Sequence, residues 1–192
     1  MHCVLLAAGA SRRMGGRDKL LEEIEGLPVL RRQALAVLAA GIGPVAVTLP
    51  ATSPGRAAAL EGLAVTALPV PDAAEGMSAS LRTAALWAAG HPLMICPADM
   101  PELTTADFSR MAAAFDGGVL RGVDVDGCAG HPVVFPAALL PRFAGLHGDE
   151  GARSLVRAHP PRLIALPGRH ATTDLDTPED WAAWRAGPAS SA

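Results

Sequence analysis

Short, continuously apolar segments alternate with Ala-rich segments through the first half of the chain, and this alternation is the strongest constraint on the fold. Apolar runs of this kind are typical of strands buried on both faces. A strand–helix–strand order implies parallel pairing through right-handed crossovers. The predicted strands and the helices between them cover residues 3–7, 29–40, 45–49, 54–61, 63–69, 78–89 and 93–96. We therefore expect an α/β fold, with a mostly parallel sheet flanked by helices.

The second half of the chain is less regular and predicts an antiparallel extension of the sheet. Segments 119–125 and 131–135 are joined by a turn at Asp126-Gly127, which favours an antiparallel pair. Further predicted elements are a strand at 163–166 and helices at 104–115, at 149–158 and after 177. Helix starts are marked by capping signals at Ser53, Thr104 and Thr177. We expect one domain over residues 1–186 and a frayed tail over 187–192.

Composition argues against several classes of function. The 192 residues carry 16 Lys and Arg against 19 Asp and Glu, a net charge of −3. Aromatic residues make up 4% of the chain and Tyr is absent, so neither charge nor stacking side chains favour a nucleic-acid partner. Three cysteines lie far apart with no C-x-x-C pair. This argues against a disulfide framework or a zinc site and favours a reducing, cytoplasmic location.

One uncharged stretch, residues 33–55, is long enough to span a bilayer. Gly41, Gly43, Pro44 and Pro50 interrupt it, and such residues break a membrane helix. We interpret the stretch as a helix end, a turn and a buried strand, and expect no membrane association.

A Gly-rich turn directly after the first predicted strand is the leading candidate for a binding site. Residues 6–19, called the signature loop below, read LAAGASRRMGGRDK. Backbone N–H groups of such a loop can hold phosphate oxygens beyond the carboxyl end of a strand. Arg12, Arg13, Arg17 and Lys19 fall within eight consecutive residues, and Lys19 is the only lysine of the chain. The loop fits neither G-x-G-x-x-G nor a Walker motif, and it predicts a small anionic ligand, with a solvated basic turn as the alternative.

Two acidic positions could hold a divalent metal. Asp99 follows a buried strand, and Asp176 directly precedes a capped helix, with Asp174 as the alternative at that element. Mg²⁺ prefers one or two carboxylates together with phosphate oxygens and waters. Ordinary turn or cap chemistry is the competing explanation for each aspartate. His131, before a proline at a predicted strand start, is interpreted as structural.

Together these segments resemble those of a known family. The signature loop, L-A-A-G-x-S-x-R-M-G followed shortly by Lys, resembles that of the molybdenum cofactor nucleotidyltransferases, a branch of the nucleoside triphosphate transferase family. Five further segments resemble family elements in the same order, namely EGMSASL (75–81), CPADMP (96–101), GHPVVF (130–135), GDEGAR (148–153) and DLDTPED (174–180). The resemblance covers most of the chain and implies a Rossmann-like fold of the nucleotide-diphospho-sugar transferase type.

The resemblance also implies a reaction and a set of site residues. A phosphate of the acceptor would attack the α-phosphorus of a nucleoside triphosphate and release pyrophosphate. Arg13, Lys19 and Asp99 would be catalytic, and Asp99 and Asp176 would hold Mg²⁺. Asp149 and Arg153 would lie near the acceptor. The expected nucleotide contacts are Leu6, Ala7, Ala8, Gly9, Ala10, Ser11, Arg13, Lys19, Gly76, Ser78 and Ser80.

Two sequence cues for the nucleotide disagree. Cytidylyl members of the family tend to read L-A-A-G and guanylyl members L-A-G-G, so Ala8 indicates CTP. The spacing created by Gly16-Arg17-Asp18 looks more like the guanylyl branch. One methyl group is worth only ~1–3 kcal/mol of discrimination. We give more weight to Ala8 together with segments 76–80 and 174–180, and expect CTP.

The resemblance implies the molybdopterin form of the molybdenum cofactor as acceptor, with a molybdoenzyme or its maturation chaperone as a further partner. Guanylyl transfer from GTP, cytidylyl transfer to another phosphorylated small molecule, and a non-catalytic cofactor carrier or chaperone are the alternatives. The combination of Lys19, Asp99 and Asp176 argues against the carrier, because a carrier needs no magnesium site.

Overall fold

A central sheet organises the chain. The structure, a computed structural model, describes residues 1–187. In chain order its strands are β1 (His2–Leu6), β2 (Glu23–Ile24), β3 (Leu27–Pro28), β4 (Val45–Pro50), β5 (Thr66–Val70), β6 (Leu93–Pro97), β7 (Leu120–Val123), β8 (Ala129–Phe135) and β9 (Arg162–Ala165). Seven of these strands form one sheet in the order β5-β4-β1-β6-β8-β7-β9, and β2 and β3 form a separate antiparallel pair.

The strand directions confirm the expected mostly parallel α/β sheet with an antiparallel extension. Strands β5, β4, β1 and β6 are parallel neighbours. Strand β8 pairs antiparallel with both β6 and β7, and β7 pairs parallel with β9. Of the seven strands, β8 alone therefore runs against the others. The carboxyl ends of β4, β1 and β6 consequently meet at one edge of the sheet.

Helices cover both faces of the sheet. They are α1 (Val29–Ala40), α2 (Pro54–Ala59), α3 (Met77–Ala88), α4 (Thr105–Ala113), α5 (Arg153–Ala158) and α6 (Pro178–Ala186). One core contains buried residues of α1, α4 and α6, and a second contains those of α3, α5 and the 3-10 segment Ala137–Gly145. Along β1, Cys3 and Leu5 enter the first core and Val4 enters the second, as expected from the two-residue period of a strand.

Three local predictions were wrong in their bounds or caps. The third strand is Thr66–Val70 rather than 63–69, because the chain makes turns over 60–65 before it enters the sheet. The helix expected over 149–158 is a 3-10 turn, Gly148–Glu150, followed by α5, because Gly151 breaks it with φ of 62°. Ser53 makes no capping hydrogen bond to α2, although Pro54 does occupy the first helical turn.

Other local predictions are confirmed. Thr104 and Thr177 each form a complete capping box with the aspartate three residues later. Asp124 Oδ1 accepts hydrogen bonds from the backbone N–H groups of Asp126 and Cys128, which closes the turn between β7 and β8. Helix α6 ends at Ala186, while the tail predicted for 187–192 lies, after Gly187, outside the described residues. No helix within residues 1–187 is long and apolar enough to cross a membrane.

The second core provides a test of the packing. Leu81 and Leu86 lie on the same helix, α3, with 1% and 81% of their surfaces exposed. We expect Leu81→Ala to lower the free energy of unfolding by about 2–5 kcal/mol, because it leaves a cavity against the sheet. The matched change Leu86→Ala should alter it by less than about 0.5 kcal/mol. Urea denaturation followed by circular dichroism measures both, and equal effects would contradict this packing.

Candidate active site

A cleft of about 1300 Å³ opens at the carboxyl ends of the parallel strands. Its wall is formed by the segments that follow β1, β4 and β6, together with the start of α3 and parts of the segments 129–131 and 171–176. This is where ligands bind in open α/β sheets. The topology therefore brings segments from the whole length of the chain to one place.

The signature loop forms one side of the cleft in an irregular but well-bonded conformation. It leaves β1 after Leu6, makes a 3-10 turn over Arg12–Met14 and leads into a second 3-10 turn, Lys19–Leu21. Asp18 caps that second turn by accepting the N–H of Leu20 at 3.0 Å. Residues 6–13 and 18–20 all border the cleft. Most of the signature loop therefore lies along the cavity.

Lys19 joins the two aspartates that the sequence singled out. Its ammonium donates to Asp99 Oδ2 and, at 2.6 Å, to Asp176 Oδ1. Arg13 donates to the other oxygen of Asp176 at 2.5 Å. The backbone explains why these distant segments meet, since the N–H of Leu175 donates to the carbonyl of Asp99 at 3.3 Å. Two carboxylates and two cations therefore converge beside the signature loop.

Electrostatics reinforce this cluster. Burial alone lowers the pKa of Lys19, but the charges of Asp99 and Asp176 and their hydrogen bonds outweigh it, so the pKa is raised. Asp174 also borders the cleft, and its pKa is raised, first by burial and then by the negative charges of Asp176 and Asp99. The hydrogen bonds of Lys19 go to Asp176 rather than Asp174, which favours Asp176 as the second carboxylate.

The start of α3 forms the opposite side of the cleft. Gly76, Met77 and Ser80 border it, whereas Ser78 is fully buried. Residues two apart on a helix point about 200° apart, so Ser78 and Ser80 face different sides. The expected nucleotide contact at Ser78 is corrected accordingly, because its hydroxyl lies in the interior without a hydrogen-bond partner. Among the predicted site residues, Ser78 is the one that the structure does not bring to the cavity.

Asp149 and Arg153 border the cleft as well, on the side of α5. A Cβ on Gly76 would overlap the Asp149 carboxylate and lie 2.8 Å from the carbonyl group of Gly148. The segment around 148–149 is therefore packed directly against the first turn of α3. This contact joins the expected acceptor region to the expected nucleotide region.

Comparison with known proteins assigns the family. The family model described as MobA-like NTP transferase domain matches residues 3–163, which is most of the chain. This protein belongs to the MobA-like NTP transferase family. Its second carboxylate, Asp176, lies beyond the matched residues and reaches the site through the contacts described above.

Several relatives of this MobA-like NTP transferase have a similar length. Nicotine blue oxidoreductase of Paenarthrobacter nicotinovorans is 28% identical over 188 residues, with 92% of each chain covered. The crystal structure of Rv0371c from Mycobacterium tuberculosis H37Rv superposes with a TM-score of 0.82 at 28% identity and covers 94% of each chain. A structure of Rv0371c in complex with manganese gives a TM-score of 0.75 at 26% identity, with 94% of this chain and 95% of that one covered.

Some residues around the cleft of this MobA-like NTP transferase were not predicted as site residues. Arg56 and Arg121 border it, but each is isolated in the sequence and carries no motif. His131 was interpreted as structural, yet it also borders the cleft and its Nδ1 is buried without a partner. Burial, and then the charge of Arg121, lowers the pKa of His131 to about 4, so the ring is neutral near pH 7. The resemblance of segment 130–135 to a family element was the sequence feature that could have indicated His131 as a site residue.

The contact at Gly76 generates a stability prediction. Gly76 adopts φ of 108°, which is unfavourable for other residues, and its Cβ position is blocked by Gly148 and Asp149. Gly62 also has positive φ, 77°, but a Cβ there meets open space. We expect Gly62→Ala to cost about 1–2 kcal/mol of unfolding free energy for the backbone alone, and Gly76→Ala to cost clearly more.

Chemical denaturation of both variants measures this difference. A loss for Gly76→Ala that is equal to or smaller than that for Gly62→Ala would show that the contact between α3 and the 148–149 segment is absent in solution.

Proposed function

We propose that this protein is a Mg²⁺-dependent nucleotidyltransferase that transfers CMP from CTP to the molybdopterin form of the molybdenum cofactor and releases pyrophosphate. The observation that carries the proposal is the convergence of Lys19, Arg13, Asp99 and Asp176 beside the signature loop. Membership of the MobA-like NTP transferase family supports nucleotidyl transfer. The nucleotide and the acceptor are inferred from the sequence resemblance.

The reaction requires positioning and charge neutralisation more than covalent chemistry. An oxygen of the acceptor phosphate forms a bond to the α-phosphorus while the bond from that phosphorus to the α,β-bridging oxygen breaks. The electron pair leaves with pyrophosphate. The acceptor phosphate is already ionised near neutral pH, so the step needs no general base.

Residues of this chain would bind and orient the triphosphate. Residues Ala8 to Ser11 of the signature loop border the cleft, and their backbone N–H groups would hold phosphate oxygens. Lys19 and Arg13 would stabilise negative charge on the triphosphate in the transition state. Both side chains are bonded to carboxylates in the structure, so triphosphate binding would exchange those partners for phosphate oxygens.

The donor set suits a hard divalent cation. Asp99 and Asp176 each accept a hydrogen bond from the Lys19 ammonium through one carboxylate oxygen, so both carboxylates already converge on a single positive charge. No group of three or more His, Cys, Asp or Glu side chains in residues 1–187 could hold a metal. Two carboxylates completed by phosphate oxygens and waters form a site that is typical of Mg²⁺. When bound by Asp99 and Asp176, Mg²⁺ would neutralise charge on the α-phosphoryl group and the pyrophosphate.

Ala8 supports CTP over GTP. It is 6% exposed and packs in a small apolar cluster with Val70 of β5 and Ala79 of α3. Ala8 also borders the cleft, as do Gly76 and Ser80 at the start of α3. A larger base would have less room there than a pyrimidine. The effect of one methyl is ~1–3 kcal/mol, enough for a measurable preference.

The remaining part of the cleft would hold the acceptor. Arg153 and Arg121 offer cations to a phosphorylated ligand, and Asp149 offers an acceptor of hydrogen bonds. We place the whole activity in residues 1–186, in the cytoplasm, with a molybdoenzyme or its maturation chaperone receiving the product.

One comparison favours a second candidate function. Nicotine blue oxidoreductase is similar to this chain along nearly its full length. Its name describes an oxidoreductase, so an oxidoreductase is the second candidate function. A Gly-rich loop could hold the phosphates of a redox dinucleotide as well as those of CTP. The paired carboxylates on Lys19 favour the transferase, because hydride transfer needs no metal site.

Pyrophosphate release distinguishes these candidates. The protein is mixed with Mg²⁺, molybdenum cofactor and each of the four nucleoside triphosphates in turn. We expect release with CTP, a lower rate with GTP, and a fall in kcat of about 10²–10³-fold for Lys19→Met, because a charge that stabilises the transition state is lost.

The matched control is Arg32→Met, which removes a half-buried cation that is paired with Glu25 away from the cleft; its turnover should equal that of the wild type. A preference for GTP would overturn the CTP assignment. Binding of cofactor without pyrophosphate from any nucleotide would favour a carrier, and oxidation of a reduced dinucleotide instead would favour an oxidoreductase.

A further inference from the structure

Arg56, on α2, is almost fully buried at the edge of the cleft. It is 4% exposed, although it carries a permanent charge. Its Nε and one terminal nitrogen donate to the two oxygens of Asp18 at 2.7 and 2.8 Å. The other terminal nitrogen donates to the carbonyl of Ala7 at 2.6 Å. The guanidinium is therefore committed to the signature loop through all three of its nitrogens.

We propose that Arg56 is a positioning residue that holds the signature loop in its triphosphate-binding conformation, an inference that rests on the proposed nucleotidyl transfer. We call its contacts with Ala7, Ser11 and Asp18 the Arg56 clamp. The contact with Ser11 is a hydrogen bond from the guanidinium to Oγ at 3.3 Å.

The clamp fixes the loop at three separated points. Ala7 lies at its start, directly after β1, Ser11 near its middle, and Asp18 at its end. A single planar side chain thus sets the distance between the two ends of the loop. Arginine suits this task because its rigid fork can bind a carboxylate through two nitrogens and still reach a third acceptor.

Asp18 transmits this constraint to Lys19. The same carboxylate that receives Arg56 also accepts the N–H of Leu20 and so caps the short turn that begins at Lys19. Ser11 Oγ accepts the N–H of Lys19 itself at 3.3 Å. The backbone of Lys19 is consequently tied to two residues that Arg56 holds, which fixes where its ammonium can reach.

Backbone strain in the loop explains why a clamp is needed. Ser11 has φ of 49°, a left-handed conformation that is unfavourable for a residue other than glycine. Such strain persists where the surrounding contacts determine the conformation. Ser11 Oγ also donates to Asp18 Oδ1 at 3.3 Å, so the strained residue lies inside the bonded cluster. Without Arg56, we expect the loop to relax from this conformation.

The cost of burying this charge supports a role beyond packing. A buried ion pair contributes little net stability compared with apolar side chains of similar volume. Arg56 is 4% exposed and is bonded to the signature loop through its whole guanidinium. The charged pair is therefore better explained by the geometry it imposes than by the stability it adds.

Hydrogen–deuterium exchange tests the clamp without any nucleotide. We compare the wild type with Arg56→Lys, which keeps the charge but not the fork, and with Arg56→Met, at a temperature where circular dichroism shows the folded state. The hydrogen-bonded backbone amides of the loop should exchange at least about ten-fold faster in both variants, because the clamp no longer holds their acceptors. These are the amides of Met14, Arg17, Lys19 and Leu20. Amides of β6 and α4 should keep their wild-type rates.

Calorimetric titration with CTP and Mg²⁺ then tests the consequence. Both variants should bind CTP at least about ten-fold more weakly, and kcat/KM should fall about 100-fold, the effect of a small misplacement of binding groups. Arg32→Met, which removes a half-buried arginine of α1 that does not border the cleft, should stay within about three-fold of the wild type in each measurement.

If the Arg56 variants do not fold, Asp18→Asn breaks the same clamp from its more exposed end while keeping the size of the side chain. Unchanged exchange of the Met14, Arg17, Lys19 and Leu20 amides, or CTP affinity within about three-fold of the wild type, would overturn the clamp. Faster exchange spread evenly over the whole sheet would do so too, since it indicates a merely structural role. Failure of the wild type to bind any nucleoside triphosphate would instead overturn the proposed function.

Discussion

The ion pairs of Lys19 with Asp99 and Asp176 are the interaction on which the site depends. They join the end of the signature loop, the segment after β6 and the segment before α6 at one point. Each of these charges would be unfavourable so close to the interior without its partners. The parallel sheet brings the first two together, and the bond from Leu175 to Asp99 brings the third. The topology of the sheet therefore brings the three segments to the cleft, and the ion pairs of Lys19 then join them.

The central sheet was predictable because burial on both faces leaves a direct record in the sequence. Strands β1, β4 and β6 appear as continuous apolar runs, and the capping boxes at Thr104 and Thr177 mark helix starts through local chemistry alone. Prediction was poorer for strands with exposed residues and for short helices. Strand β5 has three exposed positions, and Gly151 divides a segment whose composition otherwise suits one helix.

The candidate site was predictable where a motif records it. The family match shows that the signature loop was correctly recognised as part of a nucleotidyltransferase, and the structure places Asp99 and Asp176 on one lysine. Ser78 was expected to contact the nucleotide but lies buried away from the cleft. The motif does not state which side of the helix each of its residues faces. Arg56 was missed because its partners on the signature loop lie far away in the sequence. Arg121 was missed because it carries no motif, and its hydrogen bonds go to the backbone carbonyls of Ala129 and Gly130.

The most direct test of this account is a crystal structure with Mn²⁺ and a non-hydrolysable CTP analogue, in which anomalous scattering locates the metal. The account predicts a manganese peak bound by both Asp99 and Asp176, with the triphosphate along the signature loop and Lys19 turned from the carboxylates to the phosphates. A metal peak away from these two aspartates, or phosphates on another wall of the cleft, would contradict it.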